Sequence, residues 1–218
     1  MTGISYDVTA IGNAIVDIIG RCDDAFLAKH GAPKGHMRLV DAGTISSLYD
    51  AMGPGIEISG GSAANTMSGI ASLGGRAAFI GKVADDAFGN IFRHDIKAAG
   101  VAFNTPPVSG KAPTSSSLIL VTPDGERTMN TYLGISTELD DGEVDPTLIA
   151  QSAIIYLEGY LFDRPEAKRA FFQATALAKK AGRRVALTLS DGFCVDRHRT
   201  EFLELIRSGV DIVFANES

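Results

Sequence analysis

The sequence predicts an α/β protein: a doubly wound, mostly parallel sheet flanked by helices, with a small antiparallel β lid. Three observations carry that prediction. Short Val/Ile/Leu/Phe runs alternate with helical stretches, the rhythm of crossover βαβ units. Several of those runs are apolar throughout, as strands covered on both faces require. Glycines stand just past the helical stretches as C-terminal stops. Such units join through right-handed crossovers into one parallel sheet, and 218 residues suffice for one domain with a large core.

Taken in order, the first strand is expected over 8–19, in "VTAIGNAIVDII". Segment 20–40 breaks the alternation and ends in "GHMRLV", a short strand, which makes it the first lid segment. A helix follows over 63–73 with Gly74 as its stop, then a strand over 77–83 and a helix over 88–99 stopped by Gly100. The second lid segment spans 113–132, where "SSSLILVTPDGERTMNTY" sets a Pro-Asp-Gly turn between two β-prone runs, the chemistry of a hairpin. Strands over 154–158, 185–189 and 212–215 then alternate with helices over 165–181 and 199–207, closed by Gly182 and Gly209. The lid is expected beside one edge of the sheet, over the strand C-terminal ends where such folds bind ligands. Repeats, low-complexity tracts and interdomain linkers are absent from the sequence.

Composition excludes several function classes. Against 26 Asp and Glu stand 20 Lys and Arg, never more than two in a row, which argues against nucleic acid or an anionic membrane as partner. Cys22 and Cys194 are the only cysteines and the four His are scattered, so neither a disulfide framework nor a metal cluster is expected. A reducing, cytoplasmic setting fits. The opening "MTGISYDVTAIGNAIVDIIGR" has no basic leader, and Asn13 and Asp17 interrupt its apolar run, so it reads as a strand and not as a targeting or spanning segment.

The stretch "ISGGSAANTMSGIASLGGRAAFIGK" admits three uses: a phosphate cradle, a substrate clamp, or tight packing. A Walker A loop fails, because Arg76 stands where the motif needs Gly and Val83 where it needs Ser or Thr after Lys82. The dinucleotide fingerprint is missing too, which disfavours an NAD-binding protein. What remains is Gly60-Gly61 leading into Ser62 as N-cap, with Asn65 three positions on. Such a turn offers unpaired N–H groups beside a side-chain amide, able to grip hydroxyls or anions, with close packing as the alternative. In the first strand, period-two alternation puts Ile11, Asn13, Ile15, Asp17 and Ile19 on one face. A straight strand would hold Asn13 and Asp17 roughly 13 Å apart, so they meet one diol only if the chain bends. An Asp in an apolar strand needs a partner; Asp17 can accept two hydroxyl protons or form a buried pair with an arginine.

The run "GGSAANTMSGIASLGGRAAFIGKVADDAFG" resembles the N-terminal signature of the ribokinase-like carbohydrate kinases (phosphofructokinase B type). The likeness lies in the double glycine, the Asn four residues after its second member, and the spaced Gly-Lys-Val-x-x-Asp-x-x-Gly. It extends through "GNAIVDI", "GERTMNTYLG", "YLEGYL", "LTLSDGF" and "DIVFANE", segments most similar to the adenosine kinases of that family.

The resemblance implies a ribokinase-like fold and ATP-dependent phosphorylation of a nucleoside or sugar hydroxyl, adenosine to AMP first among the candidates. Ribose, a ketosugar, or a noncatalytic nucleoside-binding role are the alternatives. By the same resemblance Asn13, Asp17, Gly61 and Asn65 would bind the substrate sugar, and Tyr160 and Phe193 would lie near a base. Arg127 would stabilise charge when the lid closes, unless it is only a solvated hairpin charge. Asn216 would belong to the cofactor side, as the first residue of an Asn-x-x-Glu motif whose Glu would lie beyond Ser218. No counterpart exists in this sequence for the family's Gly-Ala-Gly-Asp loop, source of the catalytic base and anion hole. Residues 1–218 are therefore expected to be the N-terminal two thirds of one kinase domain, without most of its ATP site. Implied cofactors are ATP and Mg2+, with a monovalent cation left open. Implied partners are the small-molecule acceptor and ATP, with no nucleic acid and no membrane, the protein being a monomer or a lid-mediated homodimer.

Overall fold

The computed structural model describes residues 3–217. Met1 and Thr2, at the start of the opening stretch, and Ser218, within the expected Asn-x-x-Glu motif, lie outside the described residues.

Six strands form the core sheet: β1 (Tyr6–Ile11), β5 (Ala77–Ile80), β6 (Val101–Phe103), β9 (Ser152–Glu158), β10 (Arg184–Thr188) and β11 (Ile212–Phe214). They lie in the order β11-β10-β9-β1-β5-β6, and every pairing is parallel. The chain winds outward from β1 through β5 to β6, then returns to β1's other side and winds through β9 and β10 to β11. This is the doubly wound arrangement, with its switch point between β1 and β9.

Alternate strand residues feed two cores. Ile11, Ile80, Leu157 and Leu187 pack on one face against α6 (Pro165–Lys180) and α7 (Gly192–Gly209), through Phe171, Ala174, Phe202 and Leu205. On the other face Ala10, Phe79 and Phe103 meet α3 (Ser62–Ser72) and α4 (Ala87–Ala98), through Met67, Phe92 and Ile96. Gly74, Gly100 and Gly182 follow α3, α4 and α6 in the left-handed conformation that ends a helix.

The lid differs from the sequence expectation in three ways. First, the strand expected over 8–19 is two strands in two sheets. β1 stops at Ile11 and β2 (Ile15–Arg21) belongs to the lid. At the break, a Cβ on Gly12 would fall on the Glu158 carboxylate and the Ala63 methyl, so this residue approaches a neighbouring element more closely than any side chain permits. Second, the lid has five strands in mixed pairing, in the order β3-β8-β7-β2-β4. To β3 (Met37–Leu39) and the hairpin of β7 (Ser115–Val121) and β8 (Arg127–Tyr132) it adds β2 and β4 (Gly55–Gly60). The β2–β4 and β7–β8 pairs are antiparallel, whereas β2–β7 and β3–β8 are parallel. Third, the lid rises from the C-terminal end of the central strand β1 and not beside a sheet edge.

The hairpin turn forms as expected, with the Gly125 amide donating to the Thr122 carbonyl at 2.8 Å. Two short helices not expected from the sequence, α1 (Asp24–Lys29) and α2 (Ala42–Ala51), cover the lid's inner face through Leu27, Ile45 and Leu48. A third, α5 (Pro146–Ala150), precedes β9. The last helix begins at Gly192, capped by Asp191, and bends at His198 (φ −127°, ψ 23°). Only its part beyond that bend was legible in the helical spacing.

Candidate functional site

Four chain segments cross between core and lid: 12–14, 61, 104–114 and 133. The lid register brings their ends into neighbouring positions, since Ile15 lies opposite both Gly60 and Ser115, and Ser116 opposite Tyr132. The candidate site is built at that base.

Asp17 sits one pleat further along β2, beside Ile58 and Ser117. Val16 and Ile18 point the other way, into the core beneath the lid. Asp17 is half-buried on the outer face, and burial alone pushes its carboxyl up from 3.8 to about 6. No cation or amide among the described residues lowers it again, so the buried arginine pair allowed by the sequence is absent. A partly desolvated carboxylate without a partner is expensive in a fold and is therefore a functional candidate. Gly60 makes room for it: a Cβ there would fall on Asp17 Oδ1 and Oδ2. Around it the same sheet face is apolar and uncovered, with Ile56 68 % and Leu39 58 % exposed and Ile19, Met37 and Ile58 beside them.

The double glycine thus answers to packing around the site. Gly61, not Ser62, caps α3, with φ +98° and no room for a Cβ against the Asn13 carbonyl. Ser62 is the first helical residue, and its hydroxyl donates 2.5 Å to Glu158 Oε1. The Ala63 amide also faces Glu158, so the free N–H groups expected at this turn are in part taken by a carboxylate from β9, the charge a helix N-terminus prefers. Asn65 is exposed on the first turn of α3, its amide donating to the Gly61 carbonyl at 2.9 Å.

Asn13 is enclosed by protein groups. It is only 2 % exposed; its Oδ1 accepts from Ser136 Oγ at 2.9 Å and its side chain also faces Glu158. A buried amide must satisfy both of its ends, and here protein groups do so, which gives Asn13 to the joint between the sheets. Arg127 stands at the outer end of the hairpin, opposite Val121 and exposed. That is four residues along from the Ser117 position level with Asp17, so the structure does not bring Arg127 and Asp17 together.

Tyr160 and Phe193 follow the adjacent strands β9 and β10 at the same end of the sheet. Tyr160 lies in the short 3-10 helix after β9, and Phe193 opens α7 after β10. The two connections are locked: Ser190, at φ 70°, accepts the Tyr160 amide at 3.0 Å, and Cys194 Sγ approaches the Gly159 carbonyl at 3.2 Å. A non-glycine residue held at positive φ is a feature enriched at functional sites. Phe193 is 78 % exposed and Tyr160 37 %, while burial and the nearby Asp191 push the Tyr160 phenol up to about 12. Asn216 is exposed just past β11, three strands from β1, roughly 14 Å along the same end of the sheet. Sequence reasoning left Ser136 unremarked, and its only signal was its place soon after the hairpin. Among the described residues no group of three or more His, Cys, Asp or Glu side chains is placed to hold a metal ion, and no helix is long and apolar enough to cross a membrane.

Comparison with known proteins bears on family and fold. The model of the pfkB family carbohydrate kinases matches residues 57–218. The structure of an adenosine kinase from Sinorhizobium meliloti superposes with a TM-score of 0.87 at 59 % identity, covering 97 % of this chain and 65 % of that one. A probable sugar kinase from Rhizobium etli CFN 42 gives a TM-score of 0.89 at 52 % identity, covering 98 % and 65 %. Among curated proteins, the "Probable fructokinase-6, chloroplastic" of Arabidopsis thaliana is 32 % identical over 151 residues, which are 68 % of this chain and 39 % of that protein. The chain therefore spans about two thirds of the similar structures and less than half of that curated relative.

Proposed function

The chain belongs to the pfkB family of carbohydrate kinases, and from that premise we propose that it forms the acceptor-binding part of an ATP-dependent kinase whose acceptor is a nucleoside, adenosine being converted to AMP. One observation carries the choice of acceptor: the unpartnered Asp17 carboxylate lies within an uncovered apolar sheet face. A hexose or pentose alone presents hydroxyls on every side and would leave that face wet. A nucleoside presents a diol at one end and a flat, largely apolar base at the other. In this reading Asp17 accepts both ribose hydroxyl protons as charge-assisted bonds, and Asn65 with the Gly61 backbone flanks the sugar. Ile19, Leu39 and Ile58 cover the base from the lid, and Tyr160 and Phe193 offer it aromatic rings.

The kinase role follows from the family and from the site's position outside the carboxyl ends of the strands, at the switch point. In such transfer the protein's work is positioning and electrostatic stabilisation. This chain's share is to hold the acceptor, orient its free hydroxyl and shield it from water against the lid's apolar outer face. Neither carboxylate is assigned as the catalytic base: in this reading Asp17 is committed to the diol, and both Glu158 oxygens are engaged. ATP and Mg2+ would supply and neutralise the transferring phosphoryl group. Asn216, exposed just past β11, would lie on their side of the sheet.

Fructose is the second reading, favoured by the likeness to a protein named as a fructokinase. Isothermal titration with adenosine, ribose and fructose separates the two. Tightest binding of adenosine, with ribose weaker by the loss of the base, is the expected order. Binding of fructose in preference to adenosine would overturn the nucleoside reading.

A further inference from the structure

Residues on or beside all four crossings between core and lid are linked by one chain of buried and part-buried hydrogen bonds. Ser115 Oγ, at the start of β7, donates to the Leu133 carbonyl and accepts from the Ser136 amide at 3.3 Å. Ser136 Oγ, just past the crossing out of β8, reaches Asn13 Oδ1 at 2.9 Å. The Asn13 amide, on the crossing into β2, donates 2.5 Å to Glu158 Oε2, and Ser62, just past the crossing out of β4, donates 2.5 Å to Glu158 Oε1. Ser115, Ser136, Asn13 and Glu158 are all at most 2 % exposed, and only Glu158 belongs to the core sheet.

We propose that Glu158 is a positioning residue: through Asn13, Ser62, Ser136 and Ser115 it fixes the lid's angle on the core, and so the place of Asp17 relative to the α3 N-terminus, without touching the acceptor itself. A surface ligand would leave at least one carboxylate oxygen open; here both face protein donors, and Gly12 lacks a side chain where one would collide with the carboxylate. The cost of burying that carboxylate, which pushes its pKa up, falls at the base where the two sheets meet. A core needing only stability would fill such a place with apolar groups.

The proposal rests on the nucleoside reading only for the ligand used to probe it. Hydrogen exchange of the chain is compared for the wild type, Ser136→Ala and Glu158→Ala, with Glu158→Gln as rescue. The Gln can accept from the Asn13 amide while donating to Ser62, whose hydroxyl serves either role. Ser136→Ala removes one link and little volume, so it remains informative if Glu158→Ala fails to fold. The expected result is roughly tenfold loss of protection in strands 15–21, 55–60 and 115–132, as one lost hydrogen bond allows. Strands 6–11 and 152–158 should stay within about twofold of wild type, Glu158→Gln should lie near wild type, and adenosine should bind about tenfold more weakly to Ser136→Ala. Equal loss in lid and core, or no change in the lid, would overturn the positioning role. Failure of the wild-type chain to bind adenosine, together with lid-selective loss in Ser136→Ala and Glu158→Ala, would remove the nucleoside reading and leave this one standing.

Discussion

Replacing Asp17 with Asn is expected to make the folded chain more stable at neutral pH while loosening its hold on the acceptor. In the wild type, burial raises the carboxyl from 3.8 to about 6 with no opposing partner. Because the folded value lies above the unfolded one, stability contributed by the protonated form is fully present below 3.8, is lost as pH rises towards 6, and stays lost above it. The rise corresponds to at most roughly 3 kcal/mol. Asparagine never ionises but keeps part of the cost of a buried polar group, so a gain of about 1–2 kcal/mol remains at pH 8. In a domain of this size that raises Tm by roughly 3–6 °C, and at pH 4 the gain should vanish. Thermal unfolding at pH 4, 6 and 8 reads this directly, and calorimetric titration with adenosine at pH 8 should show affinity at least about tenfold weaker. A variant less stable than wild type at pH 8 would mean that Asp17 has a structural partner. Unchanged adenosine affinity would remove it from the site.

The same ionisation makes acceptor binding pH-dependent: wild-type affinity should climb as pH rises through about 6 and level off above it, whereas Asp17→Asn should bind weakly at every pH in the same titration. Gly60→Ala puts a methyl into the space of the Asp17 carboxylate, so it should cost about 1–3 kcal/mol by overpacking and abolish measurable adenosine binding. Normal binding by a folded Gly60→Ala protein would show that Asp17 need not lean where it does. Phe193→Ala removes a side chain that is mostly exposed, so stability should stay within about 0.5 kcal/mol; adenosine affinity should drop several-fold and ribose affinity stay level, and equal losses for both would free Phe193 from any contact with a base.

The residues themselves determined the alternation of strand and helix, the glycine stops and the hairpin at Pro123-Asp124-Gly125, because apolar periodicity and turn chemistry act over a few neighbours. Asp17 was legible for the same reason: a carboxylate in an apolar strand is conspicuous without knowing its surroundings. Local pattern could not say that 8–19 is two strands, since the chain leaves the core ladder after Gly12, whose amide still bonds the Ile80 carbonyl, at the point where the Asn13 amide turns to Glu158, 145 residues away in sequence. Nor could it tell whether Gly60 and Gly61 serve a ligand or the chain, which depends on what lies where their Cβ atoms would be. Asn13 and Asp17 carry the same period-two signal, yet one is sealed between Ser136 and Glu158 and the other stands open on the lid. Sequence sets which groups are polar; the meeting of two sheets at one joint decides which of them the protein satisfies and which it leaves for a ligand.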